Sequence, residues 1–317
     1  MNYPLVSIIT INYDHPEVTC ELLATLRKVT YPRVEVIVVD NASPNDDPAC
    51  IKEQFPEIIF LQSKVNLGFA GGNNLGIHVS KGEYILLLNN DTEVEPGFLE
   101  PLVAKLQSNP GIGAVSPKIK FFFLDNTIQF SGQAPINPYT MRSHGYGWGQ
   151  KDNGQFDKDT PTHFVHGAAM MIPREVLQKV GLMAECYFLY YEELDWGARI
   201  RKAGYQLWYV HNSTILHKES ISTGKLSPLK VYYMNRSRLL YLRRNVSGFS
   251  FLIALLYQLF IAIPKNALVF LFKGNPGHFK AYLRAVGWHL QHLFSREIHW
   301  QPEFPMPDSS LQTPGKP

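Results

Sequence analysis

The sequence predicts an α/β protein built on a mostly parallel sheet flanked by helices. Three observations carry this reading. Through residue 112, short β-rich apolar runs alternate with helical stretches, as in strand-helix-strand units joined by right-handed crossovers. Those runs end on Asn and Asp, so polar groups collect where an open parallel sheet binds its ligands. Hydrophobic residues make up 45% and charged residues 18% of the 317, the balance of an ordered chain able to bury a large core.

Leu5 to Ile11, LVSIITI, reads as the first strand, closed by Asn12 to Asp14. Pro16 and Glu17 open a helix that buries Val18 and its leucines through about Lys28. Val34 to Val39 forms the second strand and stops on Asp40 and the turn-rich NASPNDD. A third strand, Ile58 to Gln62, leads into NLGFAGGNNLGI and a helix toward Ser80. Tyr84 to Leu88, YILLL, carries no charge and reads as a strand buried on both faces. A helix from Pro96 to about Gln107 follows. Asp40 and the trio Asn89, Asn90 and Asp91 are therefore expected to share one crevice. The trio's oxygens suit a hard divalent cation that holds a diphosphate. Taken alone, it reads equally well as a turn.

From Gly113 the alternation fails, and the segment from Phe121 to Thr160 is irregular but aromatic, which suggests a substrate-covering region. His163 to Ile172 reads as a strand, Pro173 to Val180 as a short helix, and Tyr191 to Ala203 as a helix ended by Gly204. Leu207 to Leu216 then delivers His217. Beyond Pro228, Tyr232 to Asn245 interleaves aromatics and leucines with Arg236, Arg238, Arg243 and Arg244. Phe249 to Ile263 is almost wholly apolar, Pro264 to Asn266 interrupts it, and Ala267 to Phe272 resumes. The first apolar run is about fifteen residues, short of the roughly twenty that cross a bilayer. A basic, aromatic-rich helix followed by a short apolar one fits a segment lying in a membrane interface, with a buried pair of core helices as the alternative. The proline-rich tail from Gln301 is expected to be disordered.

Composition excludes several classes. A formal net charge of +3 gives no footprint for nucleic acid. Cys20, Cys50 and Cys186 lie far apart without CxxC spacing, against a zinc site or disulfide framework and in keeping with a reducing compartment. Met1 to Pro4 runs straight into a strand without a secretory leader, so a cytosolic active site is the default expectation. The glycine-rich stretch is neither a Walker loop nor a GxGxxG fingerprint.

The ordered set VSIITINYDHPEV, EVIVVDNASPNDD, NLGFAGGNNLGI, YILLLNNDTEV, GAAMMIPREVL, YFLYYEELDWGARIRKAGY and ILHKESIST is similar to family-two inverting glycosyltransferases, particularly the bacterial rhamnosyltransferase-like branch. It covers roughly residues 4 to 245. The resemblance implies a GT-A fold over residues 1–228, with a donor half to about 112 and an acceptor half from about 113. Residues 229–300 would form a basic and apolar helical segment associated with the membrane, and 301–317 the disordered tail. It implies a nucleotide-diphospho-sugar donor, with L-rhamnose from dTDP-rhamnose as first choice, and Mg²⁺ or Mn²⁺. The acceptor would be a saccharide or a polyprenyl-diphosphate-linked sugar in cell-surface polysaccharide synthesis. The enzyme would be cytoplasmic and peripheral on the inner face of the cell membrane, and would bind no nucleic acid. The alternatives are a sugar-nucleotide-binding protein and a nucleotidyltransferase on a related fold.

On the donor side, the resemblance gives Asp40 the pyrimidine ring and Ile11, Asn12 and Tyr13 the packing of the nucleoside. Gly68 and its neighbouring glycines allow close backbone approach, and Asn66, Asn73 and Asn74 offer hydrogen bonds to ribose or sugar hydroxyls. Asp91 matches the last acid of the family's DxD motif, with Asn89 and Asn90 in place of the preceding acids, which makes the metal site a lightly charged one. His217 matches a histidine that reaches the same metal, and Ser220 and Ser222 would touch the diphosphate. The catalytic base lies in an acidic pair that here is Glu192 and Glu193, with Glu193 at the critical place; the helix N-terminus favours its ionised form. Asp195 is the second candidate, although with Arg199 it also fits a helical ion pair. Gly167 and Ala168, beside His166, match the point where donor and acceptor sugars meet. Tyr190, Tyr191, Trp196 and Trp148 are candidate sugar-stacking faces or core aromatics. Arg199 and Arg201 could meet an acceptor diphosphate or be solvated helix charges.

Overall fold

The computed structural model describes residues 3–218, 227–272 and 274–293. Ser220, Ser222 and the tail from Gln301 lie outside the described residues. The chain begins with β1 (Val6–Asn12), α1 (Pro16–Leu26), β2 (Val34–Asp40), α2 (Ala49–Gln54), β3 (Ile59–Gln62), α3 (Gly68–Val79) and β4 (Tyr84–Leu88). β1 is the centre of this half, pairing in parallel with β2 and β4, and Asn12 stands in register with Asp40. α3 can lie flat on β1 because its glycines carry no side chain. A Cβ at Gly76 would stand 2.4 Å from Ile9 Cγ2, and one at Gly72 would stand 2.9 Å from Ile11 Cδ1.

The second half is mixed. It contains β5 (Thr92–Val94), α4 (Leu99–Ser108), β6 (Ile112–Phe121), β7 (Ile128–Phe130), β8 (Thr160–Thr162), β9 (Ala169–Pro173), α5 (Arg174–Val180), α6 (Glu192–Lys202) and β10 (Gln206–His217). The sheet order is β3-β2-β1-β4-β9-β6-β10-β5, with β7 on β6 and β8 on β10. The parallel expectation therefore holds from β3 to β4. Beyond it, β9 runs antiparallel to both β4 and β6. Two apolar clusters fill the two faces of the sheet, one around Ile8, Leu22 and Leu102, the other around Ile9, Leu87 and Trp196.

The ten-residue β6 begins where alternation was expected to fail. Its sequence hides it: Ser116, Pro117, Lys118 and Lys120 break the apolar pattern, yet Lys118 is buried. Its charge is met by Asp152 at 3.0 Å and by Asp157, so the irregular segment acts partly as a counter-charge for the sheet. The strand expected over His163 to Ile172 is shorter, starting at Ala169, because His166 to Ala168 turn at the crevice.

The last section holds α7 (Pro228–Asn245), α8 (Gly248–Tyr257), α9 (Ile263–Phe272) and α10 (Pro276–Gln291). The expected interruption at Pro264 does not occur. A π-helical turn, Gln258–Ala262, joins α8 to α9, and its wider hydrogen-bond spacing accommodates a proline that lacks an N–H. The result is one 25-residue helix, Gly248–Phe272, long and apolar enough to cross a membrane by length and composition.

Candidate active site

The carboxyl ends of β1, β2 and β4 are joined by a chain of hydrogen bonds. Asn12 Nδ2 donates to Asp40 Oδ1 at 2.9 Å, and the Ser43 hydroxyl donates to the same oxygen at 2.5 Å. Thr19 Oγ1 donates to Asn12 Oδ1 at 2.7 Å and accepts from Asn90 Nδ2 at 3.0 Å. Asp40, Asn12 and Thr19 are wholly buried. These bonds satisfy polar groups that would otherwise be costly to bury, and they fix the floor of the crevice. Ile11 and Tyr13, half-buried, flank that floor at the tip of β1.

The asparagines of the glycine-rich stretch divide by role. Asn66 Oδ1 accepts from Asn41 Nδ2 at 3.1 Å and from the Gly68 N–H at 2.8 Å. Asn41, which the sequence presented as a turn residue, also accepts from the Leu67 N–H. Asn73 bonds back to the Phe69 carbonyl within its own helix. Asn74 is occupied elsewhere: it donates to Met183 O and Glu185 Oε1 and accepts from the Met183 N–H. The bonds of Asn74 thus go to the segment before α6, while Asn73 commits only an amide N–H. Gly68 has φ +68, and a Cβ there would stand 2.3 Å from Phe188 O, so its close backbone approach is to the segment leading into α6.

Asp91 and His217 meet across β5 and β10. His217 pairs with Thr92 in the antiparallel ladder, and the Lys218 N–H donates to Asp91 O at 2.8 Å. Asp91 Oδ1 lies 3.0 Å from His217 Nε2, yet it is buried without a hydrogen-bonded partner. Gln129 Oε1 is 2.8 Å from His217 Nδ1; a proton held there would leave a lone pair on Nε2. A carboxylate and a neutral imidazole side by side are ligands suited to a divalent cation. Octahedral ligands about 2.1 Å from Mg²⁺ stand about 3.0 Å apart, so the pair fits. Among the described residues no group of three or more His, Cys, Asp or Glu side chains could hold a metal. Water and ligand oxygens would complete the coordination, as Mg²⁺ ordinarily prefers. Asn89 and Asn90 flank the pair at the end of β4, where the Asn89 N–H donates to Ala168 O at 2.9 Å. Gln129 sits on β7, a short strand inside the segment that reads as irregular in the sequence, with no motif to mark it.

That last bond carries the crevice to the acceptor side. His166 is half-buried, with its ring 6.1 Å from that of His217. Burial, reinforced by His217, pushes its pKa down to about 3, and as a neutral ring it accepts the Ala168 N–H at Nδ1. Glu193 crosses over the adjoining glycine: a Cβ at Gly167 would stand 3.8 Å from Glu193 Cγ and 3.9 Å from Cδ. Burial raises the Glu193 carboxyl to about 6, against the pull of backbone N–H groups at the start of α6. The helix terminus favours ionisation as expected, but desolvation wins. Glu192 is more deeply buried; burial, then the charge of Glu193, hold it well above the ordinary carboxyl range.

Asp195 points elsewhere. It accepts from Tyr187 OH, Arg199 Nε, Arg244 Nε and Asn245 Nδ2. Burial alone would raise its pKa; Arg244 and the other donors outweigh that and hold it below the usual value. Arg199 also donates to the Val180 and Leu182 carbonyls, which makes it part of the frame. Trp196 is buried, with its indole N–H on Gly181 O, and is core. Trp148 is 66% exposed.

The arginines of α7, part of the segment read as membrane-associated, bond to groups of the protein itself, and of the four Arg236 is buried. Arg236 donates to the Cys186 and Tyr187 carbonyls, Arg238 to Tyr191 OH, Arg243 to His292 O and Arg244 to Asp195. Arg236 and Arg238 hold the segment before α6, where Phe188, Tyr190 and Tyr191 all have positive φ. Such backbone costs about 1–3 kcal/mol per residue and persists where its surroundings enforce it.

A parallel half-sheet with its polar tips beside an antiparallel strand and an acidic helix start is the GT-A arrangement, and this protein is a glycosyltransferase enzyme. The chain belongs to Glycosyl transferase family 2, whose sequence profile matches residues 7–181, and it falls in the rhamnosyltransferase-like branch. It is 23% identical over 265 residues to the N-acetylglucosaminyl-diphospho-decaprenol L-rhamnosyltransferase of Mycobacterium tuberculosis, covering 77% of this chain and 86% of that protein. It is 27% identical over 240 residues to the low-salt glycan biosynthesis hexosyltransferase Agl10 of Haloferax volcanii, covering 74% of each. Among solved structures it is similar to the mannosyltransferase PcManGT from Pyrobaculum calidifontis in complex with GDP-Man and Mn²⁺. The TM-score is 0.57 at 15% identity, over 94% of this chain and 89% of that one.

Proposed function

We propose that this enzyme transfers a sugar, L-rhamnose from dTDP-rhamnose as first choice, from a nucleotide-diphospho-sugar to a polyprenyl-diphosphate-linked saccharide, with inversion. One observation supports it above the rest: Glu193, raised toward neutrality, lies over Gly167, and the turn at His166 to Ala168 links it to the facing pair of Asp91 and His217. Asp91 and His217 would hold Mg²⁺ or Mn²⁺, and Asn89 and Asn90 offer it neutral oxygens. Such a cation supplies Lewis-acid stabilisation to a departing diphosphate. Glu193 accepts the proton of the attacking acceptor hydroxyl, and a single in-line displacement inverts the anomeric centre. Asp40 and the tip of β1 bind the nucleoside. The name of the mycobacterial relative, an L-rhamnosyltransferase of N-acetylglucosaminyl-diphospho-decaprenol, supports the choice of sugar and of acceptor class.

The enzyme would work from the inner face of the cell membrane, with residues 1–228 catalytic and the helices beyond them as the membrane-associating part. α10 runs antiparallel beside α9, with Tyr282 OH 3.5 Å from Ile263 O and the rings of Phe270 and Tyr282 5.5 Å apart. It returns to α7, where His289 meets Arg236 O. A long apolar helix packed in this way alongside polar neighbours favours lying in the interface over crossing the bilayer.

The test is to incubate the full chain with Mn²⁺, a panel of nucleotide sugars and a polyprenyl-diphosphate-linked N-acetylglucosamine acceptor. Rhamnosyl transfer with inverted anomeric configuration is expected. Transfer from another nucleotide sugar alone would overturn the donor, and binding of no nucleotide sugar would overturn the site.

A further inference from the structure

On the side of α6 away from Glu193 lies a cavity of about 820 Å³, bounded by α6, the end of α7 and the start of β10. Its volume is that of a small-molecule pocket. Asp195, Ala198, Arg199 and Lys202 fall on one stripe of α6, about half a turn from Glu193. The lining is one-sided in charge. Arg199, Arg201, Lys202 and Arg244 face the cavity, and Asp195 is the sole carboxylate there. That carboxylate has no spare capacity, since Tyr187, Arg199, Arg244 and Asn245 already satisfy it.

Arg201 and Lys202 form no ion pair among the described residues, and Arg201 Nε is buried without a hydrogen-bond partner. Arg201 Nη1 abuts His163 Nδ1, a ring that burial, then Arg201, hold below its usual range. Basic residues in a last helical turn complement the helix dipole. That accounts for Lys202, and Asp195 accounts for Arg199 and Arg244, but no carboxylate among the described residues pairs Arg201.

We propose that this cavity binds the phosphate or diphosphate group of a ligand, apart from the donor crevice. The Arg201 guanidinium and the Lys202 ammonium, neither paired with a carboxylate among the described residues, match the several acceptor oxygens of such a group. The lining includes Asn245, and the apolar helix starts just beyond, at Gly248. A phosphate carried by a lipid would therefore arrive at the surface where that helix lies, while a free phosphate ester would satisfy the same donors.

The experiment compares the full chain with R201Q/K202Q and with K28Q/K81Q, a charge-matched change at exposed lysines away from the cavity. Binding of inorganic pyrophosphate is measured by calorimetry, and binding to phosphatidylcholine vesicles with and without phosphatidic acid by sedimentation. Thermal melting shows that each variant is folded. The expected result is a loss of affinity of about tenfold or more in R201Q/K202Q alone. If the loss appears with pyrophosphate, the ligand group is a free phosphate; if only with the acidic vesicles, it is lipid-borne. Equal loss in K28Q/K81Q, unchanged binding in R201Q/K202Q, or no binding by the original chain overturns the proposal. None of these readouts depends on sugar transfer, so this site and the donor crevice can fail independently.

Discussion

Glu193 and Asp195 leave the same helix two residues apart and are driven in opposite directions. Glu193 lies over Gly167 with its pKa raised to about 6, while Asp195 is encased by donors from three elements and held below its usual value despite its burial. A proton acceptor needs an accessible oxygen, and an anchor needs filled ones. E193Q is therefore expected to lower kcat by about 10²–10⁴-fold with little change in melting. D195N should instead lose about 3–5 kcal/mol of stability, because it leaves Arg244 and Arg199 without their counter-charge. Its kcat per folded molecule should stay within about tenfold. Turnover and chemical denaturation on both variants separate the two roles.

The pH profile follows from the same contrast. A general base acts ionised, so with Glu193 at about 6, kcat/KM should climb as pH rises through about 6 and level off above it. The activity is present above the pKa and lost below it. A profile flat well below 6 would transfer the role to a group such as Asp195, which ionises earlier.

Gln129 predicts a distinctive metal phenotype. D91A and H217A should each abolish high-affinity Mn²⁺ binding, followed by the electron paramagnetic resonance of the free ion. Q129L removes only the acceptor on His217 Nδ1, and should weaken Mn²⁺ binding by about 10–100-fold as the imidazole loses its fixed tautomer. Chelation should stop transfer, and added Mn²⁺ should restore it at a higher concentration for Q129L than for the original chain.

Much of the donor half was legible because it depends on local signals. Apolar runs that end on Asn12, Asp40 and Asn89 specify both the strands and the tips that meet. The second half depends on long-range pairing. β6 contains a lysine whose partners lie in a distant loop, and Asn74 faces a segment more than a hundred positions away. The arginines of α7 read as part of a membrane-interface segment because their acceptors, backbone carbonyls and the side chains of Tyr191 and Asp195, lie nearly fifty residues away in either direction. Periodicity reports which face of an element is apolar, but not which charges the fold will enclose.

With those arginines bonded to the protein's own groups, the proposed attachment to a membrane would fall to the apolar surface of the long helix. Phe249, Phe260 and Phe272 are 76%, 73% and 82% exposed and contribute little to the core. Replacing all three with Ser removes apolar area that each ring would bury in lipid, at about 25 cal/mol per Å². The expected outcome is a loss of sedimentation with phospholipid vesicles of at least tenfold, with melting unchanged. Extraction of the original chain from membranes by alkaline carbonate distinguishes the two ways the helix can sit. Release is expected for a helix in the interface, because α10 ties α9 back to α7. Retention of the original chain after carbonate would mean that Gly248–Phe272 crosses the bilayer, and would require α10 to separate from α9.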